Sequence, residues 1–101
     1  MNDFEPLQKR VIKWAEEKQI LEQGTKLGQF HKTLEGLDEM YEAIQEDSVD
    51  RLEEALGETL VTLIIQAEMW GLKPTKCLYK TYRSIKNNKG KMRDGIFYKN
   101  E

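Results

Sequence analysis

The sequence predicts an all-α fold, a four-helix bundle with a short basic C-terminal tail or hairpin, and three observations predict it. Apolar residues recur at three- and four-residue spacing over most of residues 4–85. The only two prolines, Pro6 and Pro74, both fall where a helix can begin. Gly24, the Glu46-Asp47-Ser48 run and Gly71 separate the periodic stretches and supply stops and caps. With 101 residues and 39% hydrophobic content, the chain makes one domain with a thin core, so a second copy is an economical cover for its remaining apolar surface. The organisation expected is a helical domain over 1–86 and a basic tail over 87–101 that packs on it.

The first helix is expected from about Phe4 to Glu22, with Asp3 as N-cap and Pro6 tolerated in the first turn. Leu7, Val11, Trp14 and Ala15 follow helical spacing, and Gly24 ends the helix. The second runs from about Leu27 to Glu46 and carries Phe30, Leu34, Leu37, Tyr41 and Ile44 on one face. Asp47 or Ser48 then caps a third helix from about Val49 to Trp70. From Leu60 onward that helix is nearly apolar all round, which places it in the middle of a bundle. Gly71 stops it, and Lys73-Pro74-Thr75 opens a fourth helix through about Ile85. In the tail, Asp94-Gly95 between Met92 and Ile96-Phe97-Tyr98 spells a tight turn, the signal of a small hairpin.

The lone cysteine, Cys77, excludes an intramolecular disulfide and suits a reducing compartment; with no base beside it, it reads as a half-buried structural residue. The acidic N-terminus lacks an apolar signal core, and the most apolar run, Leu60 to Ile65, is far shorter than the ~20 residues of a membrane helix. A cytoplasmic protein without a membrane association is expected. The charge is segregated. Residues 35–72 carry one Arg against 11 acids, a net of −10, and residues 73–101 carry 9 Lys or Arg against 2 acids, a net of +7. This split fits a metal site beside a phosphate-binding segment, and it fits equally two solvated faces that attract each other. No nucleic-acid-binding motif accompanies the basic tail, so a nucleic-acid partner is not expected.

Carboxylate spacing is the chemically suggestive feature. Glu35, Glu39 and Glu42 share one flank of the second helix, and Glu54 and Glu58 are four apart on the third. A short antiparallel connection brings such flanks together, where carboxylates repel unless a cation neutralises them. Mg²⁺, a hard ion taking oxygen ligands and substrate phosphates, fits. Glu-rich faces are also common on surface helices, so the spacing alone supports a solvated face as well. The sole histidine, His31, has no Cys or His at ligand spacing. Trp14 and Trp70 read as core or interface aromatics, with base stacking as the alternative.

Three stretches resemble the MazG-like nucleotide pyrophosphohydrolases. Lys32-Thr33-Leu34-Glu35-Gly36-Leu37-Asp38-Glu39-Met40 is similar to their Lys-x-Leu-Glu-Glu-x-x-Glu-Leu motif. Glu54-Ala55-Leu56-Gly57-Glu58, with the apolar run after it, resembles Glu-x-Gly-Asp before an apolar helix. Lys89-Gly90-Lys91-Met92-Arg93-Asp94-Gly95-Ile96-Phe97 is similar to the Lys-Gly-Lys-Met-x-x-Gly-x-Phe tail of the short, single-domain phage and prophage members. The resemblance implies a MazG-like four-helix bundle that assembles as a homodimer or homotetramer. It also implies hydrolysis of a nucleoside triphosphate to a monophosphate and pyrophosphate, with Mg²⁺ or Mn²⁺ held by carboxylates.

The departures from that pattern are specific. The family's four metal-ligand positions fall on Gly36, Glu39, Ala55 and Glu58, so two carboxylates are absent and the family's Asp is a longer Glu. Asn88 stands where an Arg is common. Nothing in the local sequence requires a glycine at 36, in mid-helix. Glu35 and Glu54 each precede a vacated position, which suggests Glu39, Glu58, Glu35 and Glu54 as metal ligands, although one helical step turns a side chain by about 100°. Lys32, Lys89, Lys91 and Arg93 are the residues the resemblance places on substrate phosphates. A pseudoenzyme that binds a nucleotide or a protein partner is the competing expectation.

Overall fold

A computed structural model describes residues 3–100. Five helices and one hairpin follow in order: α1 (Phe4–Glu17), α2 (Ile20–Gln23), α3 (Lys26–Gln45), α4 (Val49–Met69), α5 (Pro74–Ile85), β1 (Gly90–Arg93) and β2 (Ile96–Lys99). The fold is therefore mainly helical, with one small antiparallel sheet. No helix of the described residues is long and apolar enough to cross a membrane.

Capping chemistry fixes most of the boundaries. Thr25 has an extended backbone, and its side chain accepts a hydrogen bond from the Gly28 N–H at 2.9 Å, starting α3. Ser48 does the same for α4, accepting from the Arg51 N–H at 3.2 Å. Gly71, at φ 70°, takes the left-handed conformation that ends α4, and Pro74 then opens α5. Asp3 stands at the N-cap position of α1, but its side chain makes no capping bond. The first helix also ends earlier than the periodicity predicts. Gln19 turns left-handed at φ 63°, and α2 resumes as a single turn that half-buries Ile20 and Leu21. Burial of those two side chains after a change of direction overrides the local preference for a continuous helix.

α3 and α4 form the main antiparallel pair, α1 lies along α4, and α5 touches α4. The seam between α3 and α4 is built from small and polar residues: Gln29, Thr33, Gly36 and Ala43 meet Ala55, Thr59 and Thr62, all buried. Thr33 Oγ1 donates to Thr62 Oγ1 at 2.8 Å, and Gln29 Nε2 donates to the Thr62 carbonyl at 3.2 Å. Thr59 and Thr62 return their own hydroxyls to the α4 backbone, on the Ala55 and Thr59 carbonyls. The buried polar groups of the seam are thus paired, which removes the cost of hiding them from water.

Gly36 is explained by this seam. A Cβ placed there would run into Thr59 Oγ1, with Thr59 Cβ and Cα only 3.3 and 3.4 Å away. The glycine permits the close crossing of the two helices, a requirement set by the facing helix and invisible in the local sequence. In the apolar half of α4, Ile64 and Ile65 are buried, whereas Leu60 and Leu63 remain exposed. The expectation of a helix enclosed all round is corrected: one side of α4 faces outward. Cys77 is exposed, not half-buried, on a helix, α5, that buries none of its residues.

The Asp94-Gly95 turn forms as the sequence predicts, with φ of 52° and 81°. It pairs Lys91 with Tyr98 and Arg93 with Ile96 on one face of the hairpin, and Met92 with Phe97 on the other. Every residue of the hairpin is exposed.

Candidate functional site

Glu39 projects from α3 beside the buried row that faces α4, and Glu58 projects from α4 one residue before buried Thr59. The short α3–α4 connection makes the helices antiparallel, so these two acids meet across the seam. Their carboxyl groups stand within hydrogen-bonding reach. That hydrogen bond to Glu58, then the repulsion between the two charges, holds the Glu39 carboxyl above its ordinary value; partial loss of solvent and Glu35 add to the rise, and Arg51 opposes it. No Lys or Arg forms an ion pair with either acid among the described residues.

Two open cavities flank the pair. One, of about 420 Å³, is lined by Glu39 and Glu58 together with Glu35, Lys32, Gly36 and Trp14. The other, of about 320 Å³, adds Glu42, Glu54 and Arg51 to the same two acids. Glu39 and Glu58 therefore form a shared wall, with Glu35 to one side and Glu54 to the other. Among the described residues, no three of His, Cys, Asp and Glu converge closely enough to enclose a metal ion. The four acids singled out by spacing are thus split by the structure into a central pair and two separated flankers, as the rotation per helical step requires.

The cations near the site are engaged elsewhere. Lys32 Nζ is 3.3 Å from Glu35 Oε2, with both side chains well exposed. Arg51 binds Glu46 and reaches Glu42 at 3.3 Å; those two bonds, Glu46 first, hold its guanidinium above its ordinary value. The basic residues of the tail lie apart from both cavities. Lys91 and Arg93 on β1 share the hairpin face that carries Tyr98 of β2, whose ring lies 5.8 Å from the Arg93 guanidinium carbon, and Lys89 immediately precedes β1.

Trp14 is the residue that spacing did not assign to the site. It comes from α1, which lies on α4, and it lines the 420 Å³ cavity with about half of its surface free. An indole at the edge of a carboxylate pocket offers a flat apolar wall for a base or another planar group. Trp70 is held elsewhere: its Nε1 donates to Gln66 Oε1 at 3.0 Å, and Lys26 Nζ sits 3.8 Å from its ring centre. A wider groove of about 670 Å³ runs along α5 past Lys76, Tyr79, Lys80 and Arg83.

The class this geometry defines is a small helical protein with an acid pair exposed on the face of a helical hairpin. The chain is similar to an uncharacterized 18.2 kDa protein from the rep-hol intergenic region of Haemophilus phage HP1, with 28% identity over 68 residues. That match covers 67% of this chain and 42% of the phage protein, so the chain spans less than half of that relative's length. No family model and no solved structure matches the chain.

Proposed function

We propose that this chain is a MazG-like nucleotide pyrophosphohydrolase-type protein that takes a nucleoside triphosphate with Mg²⁺ at the Glu39–Glu58 pair and works as a homo-oligomer. The observation that carries the reading is the meeting of two carboxyls from different helices, with no ion pair of their own, at the wall of a cavity that also holds Trp14 and Lys32. Two carboxylate ligands suit Mg²⁺, which is commonly bound by one or two carboxylates, several waters and the phosphates of its substrate. When bound, the ion would supply Lewis-acid polarisation of the phosphate chain. Glu39 and Glu58 would hold it, with Glu35 and Glu54 acting through water from either side. Lys32, released from Glu35, would meet the phosphates, and Trp14 would flank the base. Lys89, Lys91 and Arg93, which lie apart from both cavities of their own chain, would offset charge on the departing pyrophosphate only from a neighbouring copy in the oligomer. The resemblance of residues 32–40, 54–64 and 89–97 to that family's motifs supports the same reading.

The buried state of Gly36 and Ala55 supports a second reading, a nucleotide-binding protein without turnover. Both positions lie inside the α3–α4 seam, so the two carboxylates missing there have been replaced by direct helix packing. Pyrophosphate release from a panel of ribo- and deoxyribonucleoside triphosphates, with Mg²⁺ and with Mn²⁺, separates the two readings. Turnover lost in Glu39→Gln and Glu58→Gln supports the enzyme. Calorimetric binding of a nucleotide without turnover supports the second reading, and neither binding nor turnover removes both.

A further inference from the structure

We infer that the basic side of α5 is a binding site for single-stranded nucleic acid, whose phosphates meet Lys76, Lys80 and Arg83 while a base stacks on Tyr79. These four residues line the groove of about 670 Å³ that runs along the helix, with Thr75 and Ser84 at its ends. Helical neighbours stand three and four residues apart, so Tyr79 adjoins Lys76 in one direction and Arg83 in the other, and Lys80 does the same. The Tyr79 ring is 65% exposed, and the three cations are exposed beside it. α5 buries none of its residues; it is held to the body of the fold by its contact with α4 and by the Thr75 hydroxyl, 3.5 Å from the Glu5 carboxylate of α1. Both attachments leave the cations and the ring free.

Charge is the first argument for that occupant. Residues 73–101 carry 9 Lys or Arg against 2 acids, and none of these cations forms an ion pair among the described residues. The acids of α3 and the turn after it pair instead with Lys32 and Arg51. The acidic and basic segments therefore do not neutralise each other within the chain, and the basic one draws its counter-charge from outside. Lys76, Lys80 and Arg83 are spread over about 10 Å of helix. A row of that length addresses a chain of charges, not one small anion.

The tyrosine is the second. A cationic track with an exposed aromatic ring set into it suits a single strand, because every base has a face to stack while its flanking phosphates need cations beside the ring. A duplex hides those faces. The third argument is the side of the helix on which the groove lies. Leu78, Tyr82 and Ile85 each stand two residues from a groove cation, about 200° of rotation, so the apolar side of α5 points away from the basic one. A lipid surface that took in those three side chains would leave Lys76, Lys80 and Arg83 facing water, and the division favours a strand over a membrane. The sequence carries no nucleic-acid motif, but phosphate contacts and stacking read no base edge and need none. The site is separate from the nucleotide reading, which uses the Glu39–Glu58 pair and the hairpin cations.

Fluorescence anisotropy of labelled oligothymidylate and oligouridylate, each about ten nucleotides long, tests the inference on the full chain. Both strands are expected to bind at low salt, and more tightly than a duplex of equal length. Each phosphate met by a cation contributes about −0.7 to the slope of log K against log salt concentration, so Lys76→Gln, Lys80→Gln and Arg83→Gln combined are expected to flatten it by about 2. Tyr79→Leu is expected to weaken binding about fivefold or more, and Tyr79→Phe to preserve it, a split that charge alone does not produce. Unchanged melting temperatures show that these surface variants stay folded. Glu58→Gln is expected to bind the strands as the parent does, which separates this site from the acid pair. Absence of strand binding would overturn the inference, as would binding that survives the triple variant or a duplex that binds more tightly. So would polyglutamate bound as well as the strands with no effect of Tyr79→Leu, or capture of phosphatidylglycerol vesicles in place of strands.

Discussion

Glu39 on α3 and Glu58 on α4 hold their carboxyl groups within hydrogen-bonding reach of each other, and the Glu39 carboxyl keeps its proton to a higher pH than an ordinary glutamate. Sharing one proton satisfies the pair; losing it leaves two negative charges side by side.

The sign of the pH dependence follows. Because the folded state holds the Glu39 proton more tightly than the unfolded chain does, the stabilisation is complete below the ordinary Glu value of about 4.3 and is lost as pH rises through the folded value. Glu39→Gln removes one of the two charges and leaves an amide that can donate to Glu58. The variant is expected to melt at a higher temperature than the parent near neutral pH, with the difference closing in acid. Thermal scans across that range check it. A parent protein whose stability rises steadily through neutral pH, with no gain in the variant, would contradict the shared proton.

A divalent cation is expected to act on the same repulsion. Mn²⁺ or Mg²⁺ at millimolar concentration should raise the melting temperature near neutral pH and do nothing in acid, where protons compete with the ion. Glu58→Gln should abolish the metal-dependent rise. A rise of equal size in the variant would show that the ion binds elsewhere on the acidic middle of the chain.

Two glycines on the paired helices are expected to respond in opposite directions to the same substitution. Gly57 lies in the interior of α4 with open space where a side chain would stand, so Gly57→Ala should stabilise the protein by about 0.5–1 kcal/mol. Gly36 is equally helical, but a methyl group there meets Thr59, and the helices must separate. Gly36→Ala should cost about 1–3 kcal/mol, the range for overpacking a closed interior. Denaturant titration with the slope held in view measures both. Gly36→Glu with Ala55→Glu should be worse in the absence of metal, since both carboxylates would enter the packed seam.

What was legible in the sequence is what local chemistry decides. Ser48, Gly71, Pro74 and the Asp94-Gly95 pair act within a few residues of themselves, and each boundary or turn they imply is present. The meeting of Glu39 and Glu58 was legible too, because helical spacing and a short connection bring those flanks together. Features set by distant partners were not. Gln19 turns left-handed where Ile20 and Leu21 change direction to be buried, Gly36 is required by a residue on another helix, and Trp14 reaches the site only because α1 lies along α4. The outward orientation of Leu34 and Leu60 was hidden for a related reason. A periodic stripe states that a face will be covered, but not whether the cover belongs to the same chain.

Trp14 gives the site its own optical reporter. In a Trp70→Phe background it is the one remaining indole, since the chain has two tryptophans. That substitution removes the bond to Gln66 and the Lys26 stacking, losses on the order of 0.5–2 kcal/mol that the other helices should tolerate. Titration with a nucleoside triphosphate and Mn²⁺, a paramagnetic ion, is then expected to quench Trp14 along a saturable curve. Glu58→Gln should remove the saturable component while leaving weak collisional quenching. Neutralising Lys89, Lys91 and Arg93 together should weaken binding of the triphosphate more than that of the monophosphate if those cations reach the terminal phosphates. Equal weakening of both would assign them a general electrostatic role. Saturable quenching that persists in Glu58→Gln would separate the indole's ligand from the acid pair.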